Sequence, residues 1–107
     1  MNEDEVLLEL RFPSDANASL ETSAKSLKSL DAKVAGTARD PAILAALTIA
    51  GAAVSLITEL IKLAKELRSR GEKHNILVVK LDDENKEESI SLLEASDEEM
   101  KRFINGD

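Results

Sequence analysis

The stretch DPAILAALTIAGAAVSLITELIKLAKELRSRG, residues 40–71, is the longest apolar segment of this 107-residue chain and largely decides its predicted fold. Asp40 can accept a main-chain amide hydrogen bond, and proline at the first helical position loses none, so the segment opens with a helix-start signal. Gly71 closes it with a residue that readily adopts the left-handed conformation of a helix C-terminal cap. These signals predict one very long helix over residues 41–70, about 45 Å at 1.5 Å per residue.

The two halves of this predicted helix differ in charge. Residues 41–58 contain no charged side chain, whereas residues 59–70 mix apolar and charged positions at helical spacing. A helix that is apolar all round is normally surrounded on every side, so the first half is predicted to need cover. Three interpretations remain open: a mostly buried core helix, a surface that packs against copies or a partner, and a membrane-inserted segment.

Small residues recur in the first half at spacings that let two helix backbones approach closely. The residues of the predicted interaction or membrane helix are Ala42, Ala46, Ala50, Gly51, Ala53, Val54, Ser55 and Ile57. A basic flank follows, made of Lys62, Lys65, Arg68 and Arg70. Such cations can bind anionic lipid headgroups, or they can complement the helix dipole and pair with acidic neighbours one turn away.

The remaining segments show the periods of short strands and helices. An apolar alternation predicts the first strand, and a Ser96–Glu99 capping box predicts the start of the last helix. The predicted elements are a strand at 5–12, a helix at 16–34, a hairpin at 75–81 and 87–93, and a short helix at 97–105. The sequence therefore predicts a single α+β domain over residues 1–107. Its small sheet of about three strands, one N-terminal strand plus a C-terminal β-hairpin, is covered by two helices, one very long, with a short C-terminal helix.

Composition excludes several classes of function. The chain has no Cys, so thiolate chemistry and Cys-based metal sites are absent. Two aromatic residues and a net charge of -7 disfavour nucleic-acid binding. The lone His74 has no evident nucleophile or orienting partner, and no nucleotide-binding or hydrolase motif is present, so we expect neither enzyme activity nor a cofactor. An acidic start without a basic, apolar leader favours a cytoplasmic location.

The order of VLLELRF, a helix, the stretch at 40–71 and then HNILVVKLDDENKEESISL resembles the effector-associated constant component family. These are small bacterial proteins encoded beside trypsin-like or caspase-like proteases and other conflict-system effectors. The resemblance covers about residues 6–93 and carries over no catalytic residue.

The resemblance implies a non-enzymatic component of bacterial antiviral or conflict defence. As an adaptor, it would act by helix-mediated oligomerisation or by binding an effector protease. Alternatively, it implies a protease-activated effector that relocates to the inner membrane and disrupts it by inserting residues 41–58.

Overall fold

A computed structural model describes residues 5–13, 16–30, 32–34, 43–81 and 87–106. The strands are β1 (Glu5–Pro13), β2 (Lys33–Val34), β3 (Ile43–Ala52), β4 (Leu77–Leu81) and β5 (Glu87–Ser91). The α-helices are α1 (Asn17–Ser26), α2 (Ala53–Ser69) and α3 (Asp97–Asn105), with a 3₁₀ helix at Lys28–Leu30. The strands form one antiparallel sheet in the order β2-β3-β1-β4-β5. The α+β class is confirmed, but the sheet has five strands, of which β2 contributes only two residues.

The predicted helix over residues 41–70 is wrong in its first half, because Ile43–Ala52 is the strand β3. It pairs with β1 from Glu5 opposite Ala52 to Pro13 opposite Ile43. Leu47 and Ile49, on one side of β3, are 0% and 1% exposed, so the alternation places its larger side chains in the core. An uncharged run fits a strand flanked by other strands as well as it fits a buried helix, and periodicity alone does not separate the two.

The second half of the predicted helix is confirmed as α2, which lies amphipathically on the sheet. Its buried stripe is Leu56, Ile57, Leu60, Leu63, Ala64 and Leu67. Gly71 has φ 79° and ends the helix as predicted. Its N–H donates to the carbonyl of Arg68, and the N–H of Glu72 donates to that of Leu67, both at 3.0 Å. This pair of bonds satisfies the last helical carbonyls in a Schellman motif.

The predicted helix over residues 16–34 is also too long. The α-helix ends at Ser26, and the chain continues through the 3₁₀ helix into β2. There Lys33 pairs with Thr48, and the Thr48 hydroxyl donates to the Lys33 carbonyl at 3.3 Å. Serines make the helix weak on its own, so ladder bonds to β3 can replace its last turns.

The C-terminal elements follow the prediction closely. β4 and β5 form the predicted antiparallel hairpin, although β4 begins two residues later and β5 ends two residues earlier than expected. Helix α3 has the predicted bounds and both hydrogen bonds of the Ser96–Glu99 capping box. Local signals were sufficient here because each depends on residues close in sequence.

The core lies between one face of the sheet and the helices. Leu8, Leu10 and Phe12 of β1 are 0% exposed and belong to one apolar cluster with the buried residues of α2 and α3. In an antiparallel sheet, directly paired residues share a face, so the intervening positions of β1 point the opposite way. No described helix contributes to that opposite face. The described helices therefore all lie on one side of the sheet, although Val79, which pairs with Glu9 on the other side, is only 1% exposed.

Candidate functional site

The structure separates the residues of the predicted interaction helix. Ala46 and Ala50 lie on β3 on the side away from the helices, because they pair with Arg11 and Leu7. Gly51 lies on the core side, where an added Cβ would meet Leu30 Cδ2 at 3.4 Å. The predicted small-residue helix face is therefore wrong for the part of the segment that lies in β3, and Ala42 falls outside the described residues.

The other four residues of that set begin α2. Ile57 is 9% exposed and belongs to the core, whereas Val54 is 75% exposed. Ala53 and Val54 line a groove of about 480 Å³ at the junction of β3 and α2, and Ser55 is exposed beside it. In the described part of the chain, every helix is too short or too polar to cross a bilayer.

The basic flank does not form one patch of unengaged cations. Arg68 donates from Nε to the Leu93 carbonyl at 2.9 Å and from Nη2 to the Ala95 carbonyl at 3.2 Å. Arg70 pairs with Glu66 at 2.9 Å. Lys62 and Lys65 are exposed on the outer side of α2. The two arginines therefore serve the fold, one by holding the connection between β5 and α3 and the other by an ordinary i,i+4 pair.

A polar cluster joins α1 to the loop after α2. The Ser19 hydroxyl donates to Glu72 Oε1, and Glu72 Oε2 accepts from the His74 main-chain N–H at 2.8 Å. The Nδ1 atom of His74 lies 2.6 Å from the same oxygen. Burial raises the pKa of Glu72, but the hydrogen bonds from His74 lower it, and the net effect is a pKa below its ordinary value of 4.5. Sequence reasoning missed this cluster because Ser19 and Glu72 are 53 residues apart.

The order of groups in this cluster does not suit nucleophilic catalysis. A serine nucleophile needs the imidazole between the hydroxyl and the carboxylate, so that the ring can take the proton. Here the carboxylate lies between Ser19 and His74, and Ser19 is only 4% exposed. Within the described residues, no three His, Asp or Glu side chains are grouped so that they could hold a metal ion. The cluster therefore fastens the loop to α1.

The sheet side away from the helices, which we call the helix-free face, is the remaining surface of note. Its members are identified by strand pairing: they are Glu5, Leu7, Glu9, Arg11, Lys33, Ala46, Thr48, Ala50, Ala52, Leu77, Val79, Ser89 and Ser91. Leu7 is 47% exposed and, with Val54, is one of two large apolar side chains exposed in the described part of the chain. Small and hydroxyl side chains make up much of the face.

An ion pair occupies the centre of the helix-free face. The Nε atom of Arg11 donates to Glu9 Oε1 at 2.6 Å, and the two side chains are 27% and 19% exposed. The neighbouring strands contribute Ala46 beside Arg11 and Val79 beside Glu9. The face thus combines charged and hydroxyl side chains with a half-exposed leucine and with Val79, which is only 1% exposed.

No family model, curated protein or solved structure matches this chain.

Proposed function

We propose that this protein is a non-enzymatic binding component of a bacterial antiviral or conflict defence system. It acts by presenting its helix-free face to a protein partner, either another copy of the chain or an effector protease. The resemblance to the effector-associated constant component family supplies the biological setting. The surface, rather than a helix formed by residues 41–58, supplies the means of association.

The exposure of Leu7 on a face without a described covering element is the observation that carries this proposal. Leu7 is 47% exposed, whereas its neighbours in β1, Val6 and Leu8, face the core. A half-exposed leucine opposite the small side chain of Ala50 gains from being covered, because apolar area removed from water contributes about 25 cal/mol per Å². The Ser19, Glu72 and His74 side chains contact one another in the cluster described above.

The helix-free face also fits a binding role in its chemistry. Hydroxyl groups of Thr48 and Ser89 can donate or accept hydrogen bonds at a contact. Ala50, opposite Leu7, has a short side chain, so that a partner can approach the leucine closely.

A phage-challenge assay tests the proposal. The protein would be expressed together with its neighbouring genes, which the resemblance implies include a protease, and protection would be measured as the reduction in plaque number. Leu7→Lys should reduce protection at least tenfold, because it places a charge where the partner docks. Val54→Lys is the matched control, since Val54 is the other exposed large apolar residue but lies outside the helix-free face.

Both variants should unfold at about the wild-type temperature, since neither replaces a core residue. Equal protection by folded Leu7→Lys and by wild type would show that the face is not used. An absence of protection by the wild-type pair against all phages tested would count against a defence role.

A further inference from the structure

The outer edge of β5 is a second place where this chain can bind another protein. We infer that an extended segment of a partner, with a basic and an apolar side chain two residues apart, pairs antiparallel with β5 as an added strand. The contact uses the main chain of the edge rather than the helix-free face, so it goes beyond the proposed function and does not depend on it. The direction of the main-chain groups, their exposure and the local charge support it.

The main-chain groups of β5 alternate between the sheet and the outside. β5 ends the sheet, and its neighbour among the described strands is β4. The Leu92 N–H donates to the Ile76 carbonyl at 2.8 Å, so the even-numbered residues of this segment direct their main-chain groups toward β4. The N–H and C=O groups of Ser89 and the N–H of Ser91 therefore point outward.

These outward groups are available for pairing. Ser89 is exposed, and neither of its main-chain groups bonds to another described residue. The Ser91 carbonyl accepts from the Ala95 N–H at 3.0 Å, so the edge offers the Ser91 N–H but not that carbonyl. A row of unpaired donors and acceptors is what an added strand binds, and it supplies most of the affinity. Because this row is short, we expect a dissociation constant of about 0.1–1 mM.

The helix side of the edge decides which partner side chains fit. Glu88 and Ile90 are on this side, because they pair with Lys80 and Val78 of β4. Toward an added strand they occupy non-hydrogen-bonded positions, where facing Cα atoms are only about 4.5 Å apart and side chains lie closest. A groove of about 460 Å³ extends from Glu88 to α3 and can receive the longer side chain. An apolar residue therefore fits opposite Ile90.

Glu88 is the charge that selects a basic residue two positions away. It is exposed and has no ion-pair partner among the described residues. Its cross-strand neighbour Lys80 donates instead to two carbonyls in the last turn of α3, at 3.3 and 3.4 Å. The other charges of the groove, Glu99 and Arg102, are three residues apart on α3 and offset each other. Opposite charges that face each other across two strands stabilise the pairing.

The charge of this end of the chain argues against a second copy as the added strand. Residues 82–107 contain 10 acidic and 3 basic groups. Two copies joined edge to edge would bring these acidic ends together, whereas a basic segment lowers the local charge. The partner is therefore a different protein that presents a basic extended segment.

A nuclear magnetic resonance titration of the full chain with a synthetic peptide tests the inference. The peptide is Lys-Thr-Val-Thr-Lys-Thr-Val-Thr-Lys, capped at both ends, which places lysine and valine on one face and directs the threonine N–H groups toward β5. Its addition should shift the amide signals of Ser89 and Ser91 and slow their hydrogen exchange. Methylating the threonine nitrogens should weaken binding by about tenfold, while methylating the lysine and valine nitrogens, which face away, should leave it unchanged.

Variants of the chain separate strand pairing from general attraction between charges. Glu88→Lys should weaken binding of the basic peptide by about tenfold and should strengthen binding of the same peptide with glutamate in place of lysine. Glu21→Lys, on the exposed side of α1, makes the same change in net charge and should bind the basic peptide like wild type. Ser89→Pro removes one outward N–H without removing a bond to β4, so it should also weaken binding.

Several results would overturn the inference. One is equal binding of the two methylated peptides, and another is an equal effect of Glu88→Lys and Glu21→Lys. Unchanged exchange of the Ser89 and Ser91 amides at saturating peptide would have the same meaning. A dimer of the chain alone that sedimentation detects and Ser89→Pro abolishes would assign the edge to a second copy. Leu7→Lys should bind the peptide like wild type, so failure here and failure of the phage assay are independent.

Discussion

Replacing Ala50 with valine tests whether residues 43–52 form a strand, on which the whole helix-free face depends. Ala50 lies in β3 directly opposite Leu7 of β1, on the side away from the helices. Valine is favoured in strands, and its two additional methyl groups would cover part of a leucine that is now 47% exposed. We therefore expect Ala50→Val to stabilise the protein.

The magnitude follows from the area that is covered. Removing roughly 20 Å² of apolar surface from water at about 25 cal/mol per Å² contributes about 0.5 kcal/mol. The preference of β-branched residues for strands and the new cross-strand pair bring the expected total to about 0.5–1 kcal/mol. The unfolding temperature should rise by about 2–6 °C. If the segment were helical, the same change would instead destabilise it by about 0.6 kcal/mol.

Urea and thermal unfolding, followed by circular dichroism at low micromolar concentration, measure the sign of this change. Low concentration limits self-association, so the result reports the monomer. Ala18→Val is the matched control, because Ala18 is exposed and lies in α1, where valine should cost about 0.5 kcal/mol. A loss of stability in Ala50→Val that parallels the loss in Ala18→Val would refute the strand and the face built on it.

Further variants test individual contacts by their free energy of unfolding. Ser23→Ala should leave stability unchanged or raise it by up to about 1 kcal/mol, because the 0% exposed hydroxyl has no hydrogen-bond partner among the described residues; a clear loss in urea titrations would reveal a missed partner. Arg68→Ala should cost about 1 kcal/mol, since it removes two bonds to main-chain carbonyls, while the exposed Lys65→Ala should cost almost nothing; equal effects would mean that the arginine does not hold the connection. Ser96→Ala should cost about 1 kcal/mol and fray α3, which hydrogen exchange would detect as faster exchange of its first amides. The pKa of Glu72 is below its ordinary value of 4.5, so the stability contributed by its charged carboxylate is complete above pH 4.5 and is lost as pH falls through the folded-state pKa. Glu72→Gln should therefore lose less stability than wild type when the pH is lowered below about 4.5. An equal loss in both proteins would contradict this prediction.

The elements predicted correctly are those whose signals lie within a few residues of one another. The Ser96–Glu99 capping box, the Gly71 cap and the alternation in β1 each depend on neighbouring side chains, and the structure reproduces all three. The hairpin of β4 and β5 is local in the same sense, because its strands are close in sequence. In these places the free energy of the local conformation and that of the whole fold favour the same structure.

The errors occur where long-range pairing competes with a local preference. Alanine and leucine favour a helix over residues 43–52, yet β1, thirty or more residues earlier, pairs with that segment from Ile43 to Ala52. The Ser19–Glu72 contact and the helix-free face are likewise products of distant segments brought together. A short stretch of sequence contains some of the side chains of such a site, but it does not show which distant residues contact them in the fold.

By itself, the sequence determined the α+β class, the amphipathic half of α2, the hairpin, the caps and the charge distribution, because each follows from composition or short-range periodicity. Only the tertiary structure decided that an uncharged, alanine-rich run is a strand, and which of its residues face away from the core. The physical reason is that the run can meet its backbone hydrogen-bonding needs in either a helix or a sheet, and the presence of β1 and β2 on its two sides selects the sheet.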